Sequence, residues 1–343
     1  MTRMSQKHLP EEFRFSHDFC IFLYQRLVVI LNSCEEAEIF REPLRIKEGE
    51  NGPPEAVYGH ELVAWLEQNG HQDIVDSLTR KEIFKRVLVD MALFISEALS
   101  CSAKGRLTVT FALLRKPLKE NLFCLEWLLA DPVEMLEKFN QEDSRQLDKI
   151  KEQKKKEIVR GAIAKTEYGE WVNADFIYDV RFDKKFASGF EQLFQKANHL
   201  ITSIDVMRTE KSNFNLIFSG EEAWRSQWAG LYSFLPILLF HAVQIADALT
   251  STFAWRREEL DLLTLRSAIG LVLWREKTPH AITSGECKDQ IRKFLLEAEV
   301  DCPQCAAPLR YSDVQLFEIY WKNELSCERC DAKIGLVDQA NDM

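Results

Sequence analysis

From residue 11 to about 299 the apolar positions recur every three or four residues, the spacing of one face of an α-helix. The cleanest stripe is Leu107, Phe111, Leu114, Leu118, Leu122, Leu125 and Leu129. Phe84, Val87, Leu88, Met91, Ile95 and Ala98 form a second, and Leu262, Leu265, Ile269 and Val272 a third. An opening helix over residues 13–39 turns Phe15, Phe19, Leu23 and Leu27 inward. Shorter helices are predicted near 55–68, 170–180 and 186–203, and long ones over 221–253 and 256–276. The Gly-, Pro- and charge-rich run 41–54 reads as loop. Asp131-Pro132 closes the main stripe and opens the next helix, with Asp as N-cap and Pro in the first turn. Asn-Phe-Asn-Leu-Ile-Phe at 213–218 fits a short strand or an extended loop.

Near Val300 the pattern changes character. Helical spacing gives way to cysteines, proline and the run 311–321, which is rich in aromatic and β-branched residues. Its imperfect alternation of Val314, Leu316 and Ile319 with polar neighbours predicts a strand. The expected fold is mainly α: a multi-helix bundle over residues 1–299, followed by a small β ribbon over residues 300–343.

Composition supports this reading. Only 13 Gly and 10 Pro in 343 residues leave too few tight turns for an all-β fold, and 46% hydrophobic with 29% charged residues is the balance of a packed globular chain. The most apolar window, 231–249, contains Pro236, His241, Gln244 and Asp247. It is too polar for a membrane span and reads as a buried core helix, so no membrane partner is expected. The N-terminal residues carry no apolar stretch of the secretory kind. Cys20, Cys34, Cys101, Cys124 and Cys287 stand singly among apolar residues, the usage of reduced thiols in the cytoplasm.

The remaining four cysteines are paired. Cys302 and Cys305 form one C-x-x-C, Cys327 and Cys330 another, with 21 residues between the pairs. A pair at this spacing grips one metal ion from a single tight turn, and two facing knuckles complete a tetrahedral sulfur cage. Such a cage suits Zn²⁺ or, less often, iron. Four thiolates leave no open coordination position, so the site is expected to be structural. A redox dithiol would need a βαβ setting, which the pattern lacks.

Charge bears on partners. The chain carries a net charge of -10. Residues 300–343 hold eight acidic and four basic side chains, a net of -4, which disfavours contact between the ribbon and RNA or DNA phosphates. A protein partner, a second copy of the chain, or a capping role on the helical body is expected instead. The charged run 141–160 interleaves acids with its lysines and reads as a solvated helix. Motifs of the common NTPases, dinucleotide enzymes, zinc proteases and serine hydrolases are absent from the sequence.

The least ordinary stretch of the helical body is 111–132. Pro117 interrupts an apolar helix there and should kink it or start a new one. Arg115 and Glu120 flank it as candidate site residues. Five positions apart, they lie about 140° apart around an ideal α-helix, so each is expected to meet a partner on another helix. His241, Trp224 and Trp228 sit on an apolar helix and read as core.

An arginine followed by a proline and a glutamate on a long apolar helix resembles helical proteins of the HEPN superfamily, over about residues 80–280. The resemblance implies a helical bundle of a family rich in ribonucleases and nucleotide binders of bacterial toxin and antiviral defence systems. Catalytic members carry R-x4-6-H, whose Arg and His meet across a dimer to cleave RNA. Arg115 has no such histidine after it. The spacing occurs at Arg275 and His280, and again at Arg3 and His8 in the N-terminal tail. Arg275 and His280 are therefore the candidate catalytic pair, against the simpler reading of a helix C-terminal charge and a loop histidine. The expectation is an intracellular binding or regulatory protein with a structural zinc ribbon, with a metal-independent ribonuclease or a nucleic-acid-binding zinc protein as alternatives.

Overall fold

The computed structural model describes residues 8–42, 52–53, 59–140, 150–186, 189–203, 205, 208–215, 221–253, 258–277, 285–297 and 299–336. The chain runs through α1 (Glu11–Glu36), α2 (His60–Gln68), α3 (Gln72–Ala103), α4 (Leu107–Lys116), a π-turn (Pro117–Asn121), α5 (Leu122–Ala130), α6 (Pro132–Phe139) and α7 (Glu152–Ile163). It continues through α8 (Ala174–Phe182), α9 (Phe190–Asn198), α10 (Glu221–Thr252), α11 (Glu258–Lys277) and α12 (Gly285–Glu297). Helix α13 (Asp313–Lys322) and the strands β1 (Glu324–Ser326) and β2 (Lys333–Gly335) complete it. The fold is mainly α, with one two-stranded sheet near the C-terminus among the described residues.

Helix α1 packs against α3, α10 and α11, and α5 runs beneath α10. Every member of the Leu107-to-Leu129 stripe is buried, as are Phe19, Leu23 and Leu27 of α1. The stripes thus meet in one continuous core, which also includes Cys302, Tyr320 and Leu325 of the C-terminal segment. Between α3 and α4 the chain reverses at Gly105, whose φ of +72° is a left-handed value that glycine adopts without a steric penalty. Asp131 caps α6 as expected, its carboxylate accepting the Glu134 N–H at 3.0 Å. Trp228 and His241 are buried and Trp224 is half-buried. Among the described residues, α10 alone is long and apolar enough to cross a membrane, and most of its apolar window is buried in the bundle. Residues 213–215 are loop, while 216–218 and 141–149 lie outside the described residues.

Two expectations are corrected. The predicted strand over 311–321 is helix α13. Ser312 and Gln315 form a reciprocal capping box at its start, and Leu316, Ile319 and Tyr320 share a buried face at helical spacing, while Val314 is exposed. The capping signature outweighs β propensity because it satisfies backbone donors that a strand edge here would leave unpaired. Of the two outcomes expected at Pro117, a kink or a new helix, the chain does not take the second: the backbone stays helical on both sides of the proline. The chain widens into a π-turn in which the Leu122 N–H reaches back five residues to the Pro117 carbonyl.

The core contains a polar chain. His17 Nδ1 and the Tyr232 hydroxyl are 2.7 Å apart, and that hydroxyl is 2.7 Å from Ser102 Oγ. His17 Nε2 is buried without a hydrogen-bond partner. Burial lowers the His17 pKa from 6.5 to about 4, so the folded imidazole is neutral where the unfolded one is charged. Its contribution is fully present above pH 6.5 and is lost as pH falls toward 4, because the unfolded chain takes up the proton first. Urea denaturation should show a loss of about 3 kcal/mol from this residue over that interval. His17→Gln should flatten the pH dependence there; an unchanged slope would exclude His17 as its source.

Candidate metal centre

The two cysteine pairs build the same local structure twice. The Cys302 N–H donates to the Ala307 carbonyl at 2.8 Å, and the Ala306 N–H returns to the Cys302 carbonyl at 2.9 Å. In the second knuckle the Cys327 N–H donates to Ala332 and the Asp331 N–H to Cys327, both at 2.9 Å. Each turn ends with a residue in the left-handed region, Ala306 at φ 53° and Asp331 at φ 54°. A bridge between Asp301 and Pro308 closes the first knuckle. Antiparallel pairing of Glu324 with Gly335, Leu325 with Ile334 and Ser326 with Lys333 closes the second.

The four sulfurs lie within 4.8 Å of one another. Metal–sulfur bonds of about 2.3 Å place the sulfurs of a tetrahedral site about 3.8 Å apart. Cys302 and Cys330 are 3.7 Å apart across the knuckles, and so are Cys305 and Cys327. A disulfide would need about 2.05 Å. The donor set and its spacing therefore fit one tetrahedral metal ion held by Cys302, Cys305, Cys327 and Cys330.

Protonation follows the same logic. Burial opposes the Cys302 thiolate, but the N–H groups of Cys305 and Gln304 and the neighbouring sulfurs outweigh it and bring the thiol down to about 7. The Ala332 N–H favours the Cys330 thiolate, yet burial and the other three sulfurs push that thiol up to about 12. Four negative sulfurs at this distance need a cation among them, and a metal displaces the remaining protons.

The other candidate residues are placed differently. Arg115 and Glu120 pair with each other at 2.8 Å on the surface, which corrects the expectation of separate partners. The π-turn is the reason: its wider winding brings positions five apart onto one side. Arg275 ends α11 as a buried side chain, donating to the Trp171 carbonyl at 2.7 Å and to Cys287 Sγ at 3.6 Å. His280 lies outside the described residues. The simpler reading of Arg275, a charge at a helix C-terminus, matches its position in the last turn.

An arginine and a histidine do meet elsewhere, at a centre the sequence analysis missed. Glu126 of α5 accepts two hydrogen bonds from Arg181 Nη2 of α8, at 2.7 and 2.8 Å, and one from His241 Nε2 of α10 at 2.7 Å. Arg181 also donates to the carbonyls of Leu118 in the π-turn and Ile177, both at 3.2 Å. Arg181 and Glu126 are 0% exposed and His241 1%. Burial opposes the Glu126 carboxylate, but Arg181 and His241 hold its pKa below the usual range. Burial likewise lowers His241, which stays neutral. The trio is thus an electrically balanced structural centre. The available signal was three polar side chains at core positions of apolar helices, His241 among them.

Two outcomes follow. Arg181→Met leaves the Glu126 carboxylate without its cation and should cost about 3–5 kcal/mol in urea denaturation, with Glu126 driven toward protonation. Ala306→Gly removes a left-handed penalty of about 1 kcal/mol and should tighten metal binding about fivefold in a chelator competition. Weaker binding in the glycine variant would contradict the knuckle geometry. In comparisons of the chain with known proteins, no family model, curated protein or solved structure matches it.

Proposed function

We propose that this chain is an intracellular, cytoplasmic binding or regulatory protein of HEPN-like helical descent, stapled by a structural zinc ion and serving bacterial antiviral defence. The observation that carries the binding reading is the coordination set itself. Four cysteine sulfurs at tetrahedral spacing leave an ion no position for water or substrate, so the metal holds structure and does no chemistry. Zinc is the ion because it takes four thiolates tetrahedrally and brings no redox chemistry to a cluster beside a buried core.

Two observations weigh against the catalytic alternatives. The Arg275 guanidinium is spent on Trp171 and Cys287 inside the fold, while a ribonuclease arginine must face a phosphate. Three of the four cations of α7 are answered by carboxylates, Lys154 by Glu134, Lys156 by Glu152 and Arg160 by Asp175, and the fourth, Lys155, lies over the rings of Phe123 and Phe182. A basic stripe for nucleic acid is therefore not favoured. What the chain does offer is an apolar surface next to the metal centre. Val314, Phe317 and Trp321 of α13 are 65%, 36% and 49% exposed, and the last two rings lie nearly parallel, 6.4 Å apart. Exposed aromatic side chains on a rigid helix are the usual anchors of protein contacts.

Purified protein should contain one zinc per chain, and Cys305→Ser should lose it. Incubated with total RNA, wild type and His280→Ala should both leave it intact. Cleavage by the wild type that His280→Ala abolishes would establish the ribonuclease reading in place of this one. In a bacterial host challenged with phage, Trp321→Glu should lose protection while keeping its zinc.

A further inference from the structure

We infer that the metal centre is a latch on α13: while one ion holds the four sulfurs the helix stays docked on the bundle, and when the ion leaves the helix detaches and uncovers an aromatic face of α1. The inference rests on the metal-binding reading of the four cysteines.

The latch follows from where the helix lies in the chain. Helix α13 is contained in the 21 residues between Cys305 and Cys327, whose sulfurs are 3.7 Å apart. A shared ion closes those residues into a loop and removes most of the helix's freedom to leave. Without the ion, a helix of 10 residues is too short to persist alone, and the segment 299–336 is too small to build its own core.

The docked contact is centred on one ring. Tyr320 is 0% exposed and sits 6.1, 5.9 and 5.2 Å from the rings of Phe15, Phe19 and Phe22. Opposite it, Gly270 of α11 supplies the space: a Cβ there would lie 2.7 Å from the Tyr320 ring and 2.6 Å from that of Phe19. Arg266, stacked over Phe22, donates to the Tyr320 carbonyl at 2.9 and 3.2 Å.

The same contact has a built-in weakness. The Tyr320 hydroxyl is buried without a hydrogen-bond partner, a penalty that undocking relieves at once by giving it to water. In the ion pairs at the start of α13, Asp313 with Lys288 and Arg292, the carboxylate is 62% exposed, so water screens them and they add little. The site is therefore held by an aromatic plug in an imperfect socket, with the ion keeping it in place. Release exposes Phe15, Phe19 and Phe22 together with the flanking cations Lys277, 4.0 Å from the Phe15 ring, and Arg266. By linkage, whatever binds that face weakens the metal.

Hydrogen exchange with mass spectrometry on the full chain tests this, with metal content measured on the same samples. Removing the ion with a chelator should speed exchange of residues 313–322 about a hundredfold and leave α10 unchanged. Tyr320→Phe, which deletes the unsatisfied hydroxyl, should reduce that acceleration about tenfold. Gly270→Ala should loosen 313–322 while one metal per chain is still bound. If the metal comes off and 313–322 stays protected, or if α10 loses protection equally, the latch is wrong and the metal centre stands. A purified protein with no metal at all overturns both.

Discussion

Four thiolates within 4.8 Å of one another are an unstable arrangement unless a cation sits among them. That constraint organises the C-terminal part of the molecule. It requires two knuckles to face each other, which forces the intervening chain to leave one hairpin and return to the other. The return path is α13, and α13 reaches the bundle because Tyr320 finds a socket between α1 and α11. Remove the electrostatic demand and the reason for the path goes with it. The sulfur cluster and the aromatic plug are therefore linked, in that an ion on the four sulfurs would fix the loop and the loop delivers the ring.

The second organising constraint is a buried negative charge. Glu126 has no access to water, so its carboxylate must be answered inside the protein. Arg181 answers it with two hydrogen bonds and donates from Nη1 and Nε to the carbonyls of Leu118 and Ile177. Leu118 belongs to the π-turn, so the guanidinium ties α8 to the point where Pro117 has disturbed the regular ladder. Asn121 does the same from the other side, donating to the Val87 carbonyl of α3 at 3.1 Å and to Asp90 at 2.7 Å. A proline that would otherwise break a helix is accommodated because polar side chains from two neighbouring helices settle around the widened turn.

These two constraints also explain what was legible in the sequence. The buried stripes and the Asp131 cap were legible because each rests on a period or a pair within a few residues, as was the grouping of the four cysteines. Pro117 announced a disturbance, but its form depended on Arg181, some sixty residues away, which no local pattern contains. An ideal 100° per residue sets Arg115 and Glu120 apart, and the π-turn brings them together instead. The segment 311–321 departs from its expected strand for a different reason. Its aromatic and β-branched content is real, yet those side chains serve tertiary contacts, Tyr320 inward and Trp321 outward. The local cue that decided the matter, Ser312 with Gln315, is a capping signature hidden by the louder composition.

The distribution of polar groups bears on the function proposed above. Chemistry needs a charged or nucleophilic group that is both perturbed and reachable. In the helical body Glu126, Arg181, His241 and His17 are all enclosed, and each has its main partner within the fold. The reachable charges near the π-turn, Arg115 with Glu120 and Lys116 with Asp90, are paired with each other. Among the accessible apolar surfaces, the outer face of α13 carries two rings lying nearly parallel. A helix whose two faces both carry aromatic side chains is built for two contacts, and the bundle supplies one of them. A partner on the other face, as proposed above, would make use of both, with an ion on the four sulfurs holding the recognising helix in place.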